Sequence, residues 1–475
     1  MEESRTAHIA MIPSVGMGHI IPFIELSKRI LELENSKFSV TLIIPCNAPL
    51  TQSQKLFLST LPDRISHIAL PPVNLDDLDE EFVGAEARVC ETITRSITKV
   101  QEAVSTLVKT KRLVAFVTDV FGTDAFDIAE EFNVSKYVFF TSAALSFSVM
   151  LHLAELDKNI PCEFKDWPEP IKLPGCIPLK GEDLLAPVQD KKKDDYKWFI
   201  FHGSRYKLAD GVIINTFQDL EPGPIGALVE NGNPKIYPIG PLTQMQSILG
   251  NKSGEESECK KFLNDQPNDS VLYVSFGSGG TLSSKQFQEL AIGLEQSGQR
   301  FIWVVRMPND KAANAAYFNS ETEDSLGFLP DGFLARTKAR GLVIRDWAPQ
   351  AEILSHGSTG GYLTHCGWNS ILEAVTCGIP LIVWPLYAEQ RTNAVLLTEE
   401  LKVALRPKES EDGVIGRDEI ANVVKSLMDG EEGKEFSKRM KELMVGGQKA
   451  LSPDGSSTKS LAELASIWTS MMLSS

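Results

Sequence analysis

The sequence predicts an α/β fold built from two doubly wound, Rossmann-like domains that face each other across a cleft. Length and composition are the first reason, because 475 residues of which 43% are hydrophobic exceed what one ordinary core accommodates. The second is a repeating order of short apolar runs and amphipathic stretches. The third is that this order restarts after a polar stretch at 240–256. We therefore expect one domain over 1–245, a second over 246–455, and a linker near 245–255.

Each apolar run is rich in β-branched and aromatic residues and is bounded by turn residues, which favours strands of a parallel sheet. The first half contains five such runs: HIAMIP (8–13), FSVTLIIP (38–45), VAFVTD (114–119), KYVFF (136–140) and GVIINT (211–216). The second half contains five more: VLYVSFG (271–277), RFIWVV (300–305), GLVIRDW (341–347), GGYLTHC (360–366) and PLIVWP (380–385). Ligands of such sheets bind beyond the carboxyl ends of strands, so the residues that follow these runs are the candidate site residues.

Two further segments have a different character. The stretch 307–332 is polar and lacks periodicity, which predicts a surface loop within the second domain. The end of the chain, 456–475, contains an amphipathic stretch from Thr458 to Met472. This pattern predicts a helix that packs back on the first domain.

Composition excludes several classes of partner. A formal net charge of −16 opposes binding to nucleic acid or to an anionic membrane. The seven cysteines are scattered without a C-x-x-C pair, which favours a reducing compartment. No segment approaches the ~20 apolar residues of a spanning helix, and the first apolar run is too short for a signal peptide. We therefore expect a cytoplasmic protein without a membrane span.

A strand-to-helix junction in the second half has the features of a phosphate site. The strand GGYLTHC runs into Gly367–Ser370, before an apolar helix that we expect to begin near Ile371. The N–H groups of a first helical turn are free and carry partial positive charge, so His365, Asn369 and Ser370 would surround a phosphate. The alternative is a Ser/Asn helix cap beside a buried histidine.

Two neighbouring residues extend this candidate site. Glu373 lies one helical turn later, and acidic residues hold ribose hydroxyls in dinucleotide folds, although a helical Glu is ordinarily solvated surface. Trp347 stands at the end of GLVIRDW, where its indole is available to a planar base, although a core Trp is the ordinary alternative.

The whole stretch from Trp347 to Gln390 resembles the signature box of plant secondary-product UDP-glycosyltransferases. It contains the opening W-A-P-Q, the core H-C-G-W-N-S-x-x-E, a G-x-P and the closing E-Q. The likeness extends from the GMGHIIP turn to the C-terminal helix, and it is greatest to the branch that contains hydroquinone (arbutin-forming) glucosyltransferases. It implies the GT-B architecture, a monomer, UDP-glucose as the donor, and a small aromatic acceptor such as a phenol, a phenylpropanoid or indoxyl.

The resemblance also implies a role for each donor-site residue. The residues expected at the uracil and the ribose are Trp347, Ala348, Gln350 and Glu373. Those expected at the diphosphate are Ser278, His365, Gly367, Asn369 and Ser370. Those expected at the sugar are Trp368, Glu389, Gln390 and, from the first half, Thr141. The closing Gln is the residue that the family usually shows with glucose donors, while Glu389 stands where many members have Asp.

Sugar transfer also needs a group that takes the proton of the attacking hydroxyl. His19 follows the first strand, just before a helix that we expect Pro22 to open, and Asp119 ends the strand VAFVTD. We expect the Asp119 carboxylate to orient the His19 ring, as in catalytic triads. The matching residues of the family have these roles in direct, inverting transfer. From the residues alone, the alternative is a turn histidine and a helix-capping aspartate.

No metal or other cofactor is expected, because a helix end and His365 would neutralise the departing UDP. The opposing feature is Asp77-Leu78-Asp79, which has the spacing of the D-x-D metal site in the other glycosyltransferase architecture. It lies in an acidic run with no strand before it, which favours a solvated loop.

Two alternative functions come from other classes of protein. Gly16-Met17-Gly18 after a strand suggests a nicotinamide-dependent oxidoreductase, but Ile21 stands where the fingerprint requires a third glycine. A nucleotide-sugar-binding module without catalysis is the second alternative. The presence of both His19 and Asp119 argues against it.

The acceptor is specified by no motif. Phe121 and Phe147 lie near the expected site and favour a flat acceptor, although each is equally compatible with a core position. The sequence does not distinguish oxygen from nitrogen acceptors.

Overall fold

A computed structural model describes residues 6–33, 37–79, 81–231, 234–244, 257–314 and 326–473. The chain forms two compact units, one of Met1–Leu242 with Lys449–Ser475 and one of Thr243–Gln448. The expected linker near 245–255 lies outside the described residues, as does the middle of the expected loop at 307–332.

The first unit contains one parallel sheet of seven strands within its described residues. The strands are β1 (Ala7–Ile12), β2 (Phe38–Ile44), β3 (Ile65–Ala69), β4 (Arg112–Asp119), β5 (Ser135–Phe140), β6 (Gly211–Ile214) and β7 (Lys235–Pro238). Their order across the sheet is β3-β2-β1-β4-β5-β6-β7. The chain therefore winds outward in both directions from the junction of β1 and β4, which is the topological switch point of a doubly wound sheet.

Helices cover this sheet. They are α1 (Met17–Glu32), α2 (Gln52–Ser59), α3 (Ala85–Thr110), α4 (Phe126–Glu131), α5 (Ala144–Asn159), α6 (Asp194–Arg205), α7 (Pro222–Asn231) and, from the C-terminal end of the chain, a helix over Ser456–Leu473. The strands β1 and β4 are almost completely buried, so they read as continuous apolar runs.

The C-terminal helix contributes a large side chain to the core of this unit. The ring of Trp468 is fully buried and packs edge-on against Phe38 at 6.0 Å and Tyr137 at 5.5 Å, measured between ring centroids. Through these contacts, the end of the chain is part of the core of the first unit.

The second unit contains a parallel sheet of six strands within its described residues. They are β8 (Val271–Ser275), β9 (Arg300–Val305), β10 (Gly341–Arg345), β11 (Thr359–Thr364), β12 (Leu381–Val383) and β13 (Ala404–Leu405). The order is β10-β9-β8-β11-β12-β13, so the switch point lies between β8 and β11.

The helices of the second unit are α8 (Glu258–Asn264), α9 (Ser284–Ser297), α10 (Phe333–Thr337), α11 (Gln350–Leu354), α12 (Trp368–Cys377), α13 (Gln390–Val395), α14 (Arg417–Asp429) and α15 (Glu431–Leu451), which ends in the first unit. The C-terminal helix Ser456–Leu473 is therefore α16. None of the helices in the described ranges is long and apolar enough to cross a membrane.

The predicted fold class is confirmed, and all ten predicted runs contain a strand. Three strands were not predicted, namely β3, β7 and β13, and all three lie at a sheet edge. An edge strand buries only part of its surface, so its sequence mixes polar and apolar residues, as in the ISHIA of β3. That composition gives β3 and β7 no continuous apolar run to detect, and β13 is only 2 residues long.

Candidate active site

His19 lies at the carboxyl end of β1. The loop after this strand ends at Gly16, whose φ of 103° is a conformation that favours glycine, and α1 begins at the next residue. His19 is therefore the third residue of α1. The expectation that Pro22 opens this helix was wrong, because the Gly16 turn starts the helix earlier and leaves Pro22 inside it.

Asp119 lies beside this turn because of the register of the sheet. Ile12 pairs with Thr118, so the end of β4 stands next to the end of β1. The Asp119 side chain is 0% exposed and accepts hydrogen bonds from the backbone N–H groups of Ser14, at 3.0 Å, and Val120, at 2.6 Å. Its Oδ2 lies 2.7 Å from Nδ1 of His19, whose side chain is 25% exposed.

The helix end and Asp119 have opposite effects on the charge of the His19 ring. The first turn of α1 carries partial positive charge, which disfavours an imidazolium at His19. The buried carboxylate of Asp119 has the opposite effect and stabilises the protonated ring. This pair can accept a proton from a neighbouring hydroxyl and hold it.

The other predicted residues of this unit differ in their surroundings. Phe121 is 8% exposed, and its ring centroid lies 6.0 Å from that of His19. Phe147 is fully buried between the rings of Phe140 and Tyr206, so it belongs to the core. Thr141 follows β5 and is buried. Contact of Phe121 or Phe147 with an acceptor stays a prediction.

In the second unit, Trp347 follows β10. Its neighbour Asp346 has a φ of 60°, so the chain turns sharply after the strand. The indole of Trp347 is 73% exposed, whereas Ala348 is buried. A flat aromatic surface of this size is rarely left in water, and it is available to stack on a planar ring.

Gln350 is held by two stacked tyrosines, Tyr273 and Tyr362, whose ring centroids are 4.9 Å apart. Both hydroxyls donate to Oε1 of Gln350, at 3.3 Å and 3.1 Å. This arrangement directs the amide nitrogen of Gln350 towards α12, where it donates to Ser370 Oγ at 3.2 Å and to Glu373 Oε2 at 2.5 Å. Gln350 on α11 and Glu373 on α12, two of the predicted nucleoside contacts, are thus joined by a hydrogen bond.

Glu373 has an unusual protonation equilibrium. Part of its side chain reaches the surface, yet its carboxyl group is surrounded closely enough by protein that burial raises its pKa to about 7. The hydrogen bond from Gln350 opposes this shift but does not cancel it. A neutral Glu373 coexists with the carboxylate near neutral pH.

The ring of His365 is packed between two glycines. A Cβ atom on Gly277 or on Gly367 would lie 2.5 Å from that ring, which is closer than real contacts allow. Burial, with a smaller contribution from the charge of Arg306, lowers the pKa of His365 to about 4. The ring is therefore neutral at pH 7 and can donate one hydrogen bond to a phosphate.

The helix after His365 begins earlier than expected. We expected its start near Ile371, but α12 begins at Trp368, directly after Gly367. Asn369 and Ser370 are therefore residues of the first turn, so the prediction was wrong about the helix start. The reason is that Gly367 precedes the helix in an extended conformation, which lets the turn form at once. The positive end of the helix dipole therefore lies at Trp368, three residues after His365.

The loop after β12 ends at the predicted sugar-contact residues. Gln390 is buried and its Oε1 accepts from the N–H groups of Leu386, at 2.8 Å, and Tyr387, at 3.0 Å. Asn393 donates to Glu389 Oε1 at 3.2 Å and to the carbonyl of Cys366 at 3.0 Å. Asn393 therefore connects this loop to the turn before α12.

The carboxyl ends of β8, β11 and β12 meet at one edge of the second sheet. Thr364 pairs with Ser275 on one side and with Val383 on the other. Ser278, which is exposed, follows β8 at this edge. The predicted donor residues of this unit thus follow adjacent strands, with Trp347 after the outer strand β10.

The family follows from comparison with known proteins. Residues 235–444 match the family model described as UDP-glucoronosyl and UDP-glucosyl transferase. Over 466 residues, 98% of each chain, the sequence is 57% identical to a hydroquinone glucosyltransferase from Rauvolfia serpentina. The chain belongs to this UDP-glycosyltransferase family. It is an enzyme of the hexosyltransferase class, and the oxidoreductase alternative is excluded.

Solved structures of UDP-glycosyltransferases confirm the GT-B architecture. Phytolacca americana UGT2, complexed with UDP-2fluoro-glucose and pterostilbene, is 45% identical and superposes with a TM-score of 0.88 over 98% of this chain and 100% of that one. A UDP-glucosyltransferase from Polygonum tinctorium capable of glucosylating indoxyl, in complex with 3,4-dichloroaniline, is 47% identical, with a TM-score of 0.89 over 98% of each chain.

Sequence reasoning did not find three supporting residues of this UDP-glycosyltransferase. Tyr273 and Tyr362 lie inside strands and look like core residues, and only the pairing of β8 with β11 stacks them beneath Gln350. Arg306 was also missed. Its signal was present, since it is a cation placed directly after the apolar strand RFIWVV.

The D-x-D sequence of this UDP-glycosyltransferase lies in an irregular segment. The Asp77 carboxylate pairs with the Arg95 guanidinium at 2.6 Å and 3.0 Å, which holds the pKa of Asp77 below its usual range. Asp79 accepts from the backbone N–H of Glu81 at 2.9 Å. Both carboxylates therefore have local partners, as expected of a solvated loop.

Proposed function

We propose that this enzyme is a UDP-glucose-dependent O-glucosyltransferase that acts with inversion on hydroxyl groups of small aromatic acceptors. The observation that carries the proposal is the His19–Asp119 pair, 2.7 Å apart at the switch point of the first sheet. The acceptors named for its relatives, hydroquinone and indoxyl, support small phenols, phenylpropanoids and indoxyl as the substrate class.

In the proposed reaction, Nδ1 of His19 faces Asp119, so Nε2 is the nitrogen that accepts the acceptor proton. The acceptor oxygen attacks the anomeric carbon of the α-linked glucose. The bond from that carbon to the β-phosphate oxygen breaks on the opposite face, and UDP leaves with the bonding electrons. The product is a β-glucoside, and Asp119 stabilises the imidazolium that forms.

Residues of the second unit would contact three parts of the donor, namely the nucleoside, the diphosphate and the sugar. Trp347 would stack on uracil, and Gln350 with Ala348 would contact the nucleoside. Glu373 would accept hydrogen bonds from the ribose diol, in the place where Gln350 now donates to it. The groups proposed for the diphosphate are Ser278, His365, Gly367, Asn369 and Ser370. Those proposed for the sugar are Trp368, Glu389 and Gln390, together with Thr141 of the first unit.

The departing UDP needs charge stabilisation, and the first turn of α12 can supply it without a metal. The neutral imidazole of His365 would add one hydrogen bond. We therefore propose metal-independent transfer. The monomeric state and the cytoplasmic location stay predictions.

The deciding experiment is a mass-spectrometric assay with UDP-glucose, a chelator, and a panel of hydroquinone, monolignols, indoxyl and flavonols, alongside 3,4-dichloroaniline as a nitrogen acceptor. We expect β-glucosides of the phenols in the presence of the chelator, and less product when UDP-galactose replaces UDP-glucose. Tight UDP binding without any product would support the non-catalytic alternative instead. Product formation that stops with the chelator and returns with Mg²⁺ would contradict metal independence.

A further inference from the structure

Arg306 occupies a central place at the donor edge of the second sheet. It is the first residue after β9, and β9 pairs with β8 on one side and with β10 on the other. One arm of the Arg306 guanidinium donates to the carbonyl of Gly277, in the loop after β8. The other arm donates to the carbonyl of Asp346, after β10, at 2.6 Å. The side chain therefore joins two loops that leave strands on opposite sides of its own.

Each of these loops begins a predicted part of the donor site. We call residues 276–282, which contain Gly277 and Ser278, the diphosphate loop. We call residues 346–349, which contain Asp346 and Trp347, the uracil loop. Both carbonyls belong to residues in left-handed conformations, with φ of 74° at Gly277 and 60° at Asp346. For Asp346 this conformation is disfavoured, and the backbone N–H of Asp346 holds it by donating to the carbonyl of Val305 at 2.9 Å, a contact that the Arg306 side chain does not make.

Arg306 also acts on His365, the histidine proposed to contact the diphosphate, because the positive charge of Arg306 contributes to the lowered pKa of that ring. Burial lowers the pKa of Arg306 itself, and the nearby Asp346 and Tyr387 oppose that shift. A guanidinium stays charged through a shift of this kind. Arg306 is thus a fixed cation whose two arms are committed to backbone carbonyls.

We propose that Arg306 is the positioning residue that sets the separation of the diphosphate loop and the uracil loop, so that both ends of a nucleoside diphosphate are bound at once. This inference rests on the proposed donor site. It predicts a specific requirement for arginine. The planar guanidinium donates to two separate carbonyls from its two terminal nitrogens, whereas a lysine has a single ammonium that cannot bridge both loops.

The affinities for uridine and for UDP, measured side by side, distinguish this positioning role from a general loss of structure. Uridine contacts only the uracil and ribose part of the site, so its affinity does not depend on the separation of the two loops. UDP spans both loops, so its affinity does. The test is isothermal calorimetry with both ligands on Arg306→Gln and Arg306→Lys, with thermal unfolding of each variant measured alongside.

We expect both variants to lose UDP affinity about tenfold or more, the effect of a lost hydrogen bond to a charged group, and to lose uridine affinity less than about threefold. In steady-state assays, the KM for UDP-glucose should rise while the KM for the acceptor stays near the wild-type value. Arg300→Gln is the matched control. It removes a guanidinium from the opposite end of the same strand and should leave both affinities unchanged.

Three results would overturn the inference. The first is wild-type UDP affinity in a folded Arg306→Gln protein. The second is wild-type UDP affinity in Arg306→Lys, since charge alone would then be sufficient. The third is an equal loss of UDP and uridine affinity. A wild-type protein that does not bind UDP would overturn the proposed donor site itself, which distinguishes that failure from the failure of the Arg306 inference.

Discussion

The two sheets end in polar edges of different construction. At the edge of the first sheet, two ionisable side chains from α1 and β4 lie 2.7 Å apart, and one of them is completely buried. At the edge of the second, the contacts are mostly hydrogen bonds among neutral groups, built around Gln350 and its two tyrosines. Both edges lie at the switch point of a doubly wound sheet. The shared topology therefore determines where each site lies, and the side chains determine its chemistry.

This difference matches the two chemical tasks that we propose. A group that moves a proton needs a charge nearby that stabilises one of its protonation states, which Asp119 provides for His19. A group that binds a nucleotide needs directed donors and acceptors in a fixed geometry, which the tyrosine-held Gln350 provides. Substitutions at the first edge should therefore change turnover, and substitutions at the second should change donor affinity.

The largest effect is expected for His19→Ala. Removal of the base should lower kcat for a phenol by about 10²-fold to 10⁴-fold while UDP affinity stays at the wild-type value. Turnover by mass spectrometry and UDP binding by calorimetry check the two halves of this prediction. His67→Ala is the control, because His67 is an exposed histidine of the same unit. Unchanged turnover in His19→Ala would remove His19 from the chemistry.

A smaller loss is expected for Asp119→Asn. The amide preserves the shape of the side chain but not its charge, so kcat should fall by about 10²-fold and UDP affinity should not change. The pair acts as a unit, so the double variant His19→Ala, Asp119→Asn should be no slower than His19→Ala alone. Losses that multiply in the double variant would show that Asp119 acts independently of His19.

At the second edge, Glu373→Ala should weaken the affinity for UDP-glucose by about 1–3 kcal/mol through the loss of a charge-assisted hydrogen-bond pair. Its kcat at saturating donor should remain near the wild-type value. Donor titrations of the variant and of Glu409→Ala, which alters an exposed acid of the same unit, make the comparison. An unchanged donor constant would exclude Glu373 from the ribose.

The smallest effect is a pH dependence. The free Glu373 carboxyl has a pKa of about 7, and binding of the ribose diol favours its ionised form, so binding must release a proton below that pH. Uridine affinity should therefore fall by up to about tenfold per pH unit below pH 7 and be constant above it. Uridine is the appropriate ligand because it has no phosphate that titrates.

The control for this effect is Glu373→Gln, which cannot ionise and should bind uridine with an affinity that stays constant from about pH 5.5 to about pH 8. A pH dependence that persists in this variant would assign the effect to a titratable group other than Glu373.

Strand positions were largely predictable, and helix starts were not. Buried central strands such as RFIWVV are recognisable in the sequence as apolar runs, because both faces of such a strand are covered by protein. The edge strand ISHIA does not, because part of it faces water. The helices at His19 and Trp368 begin earlier than expected because each follows a glycine, Gly16 or Gly367, whose backbone conformation was not visible in the sequence.

The sequence by itself determined the fold class, the family, and the set of candidate donor residues, because periodicity and a contiguous 347–390 motif are properties of chain order. Only the tertiary structure decided how these residues act on one another. The register of β1 on β4 brings His19 and Asp119 within 2.7 Å, the depth of Glu373 raises its pKa to about 7, and the reach of Arg306 joins two loops. Distances, burial and charge are set by neighbours far apart in the chain, and for that reason they appear only once the chain has folded.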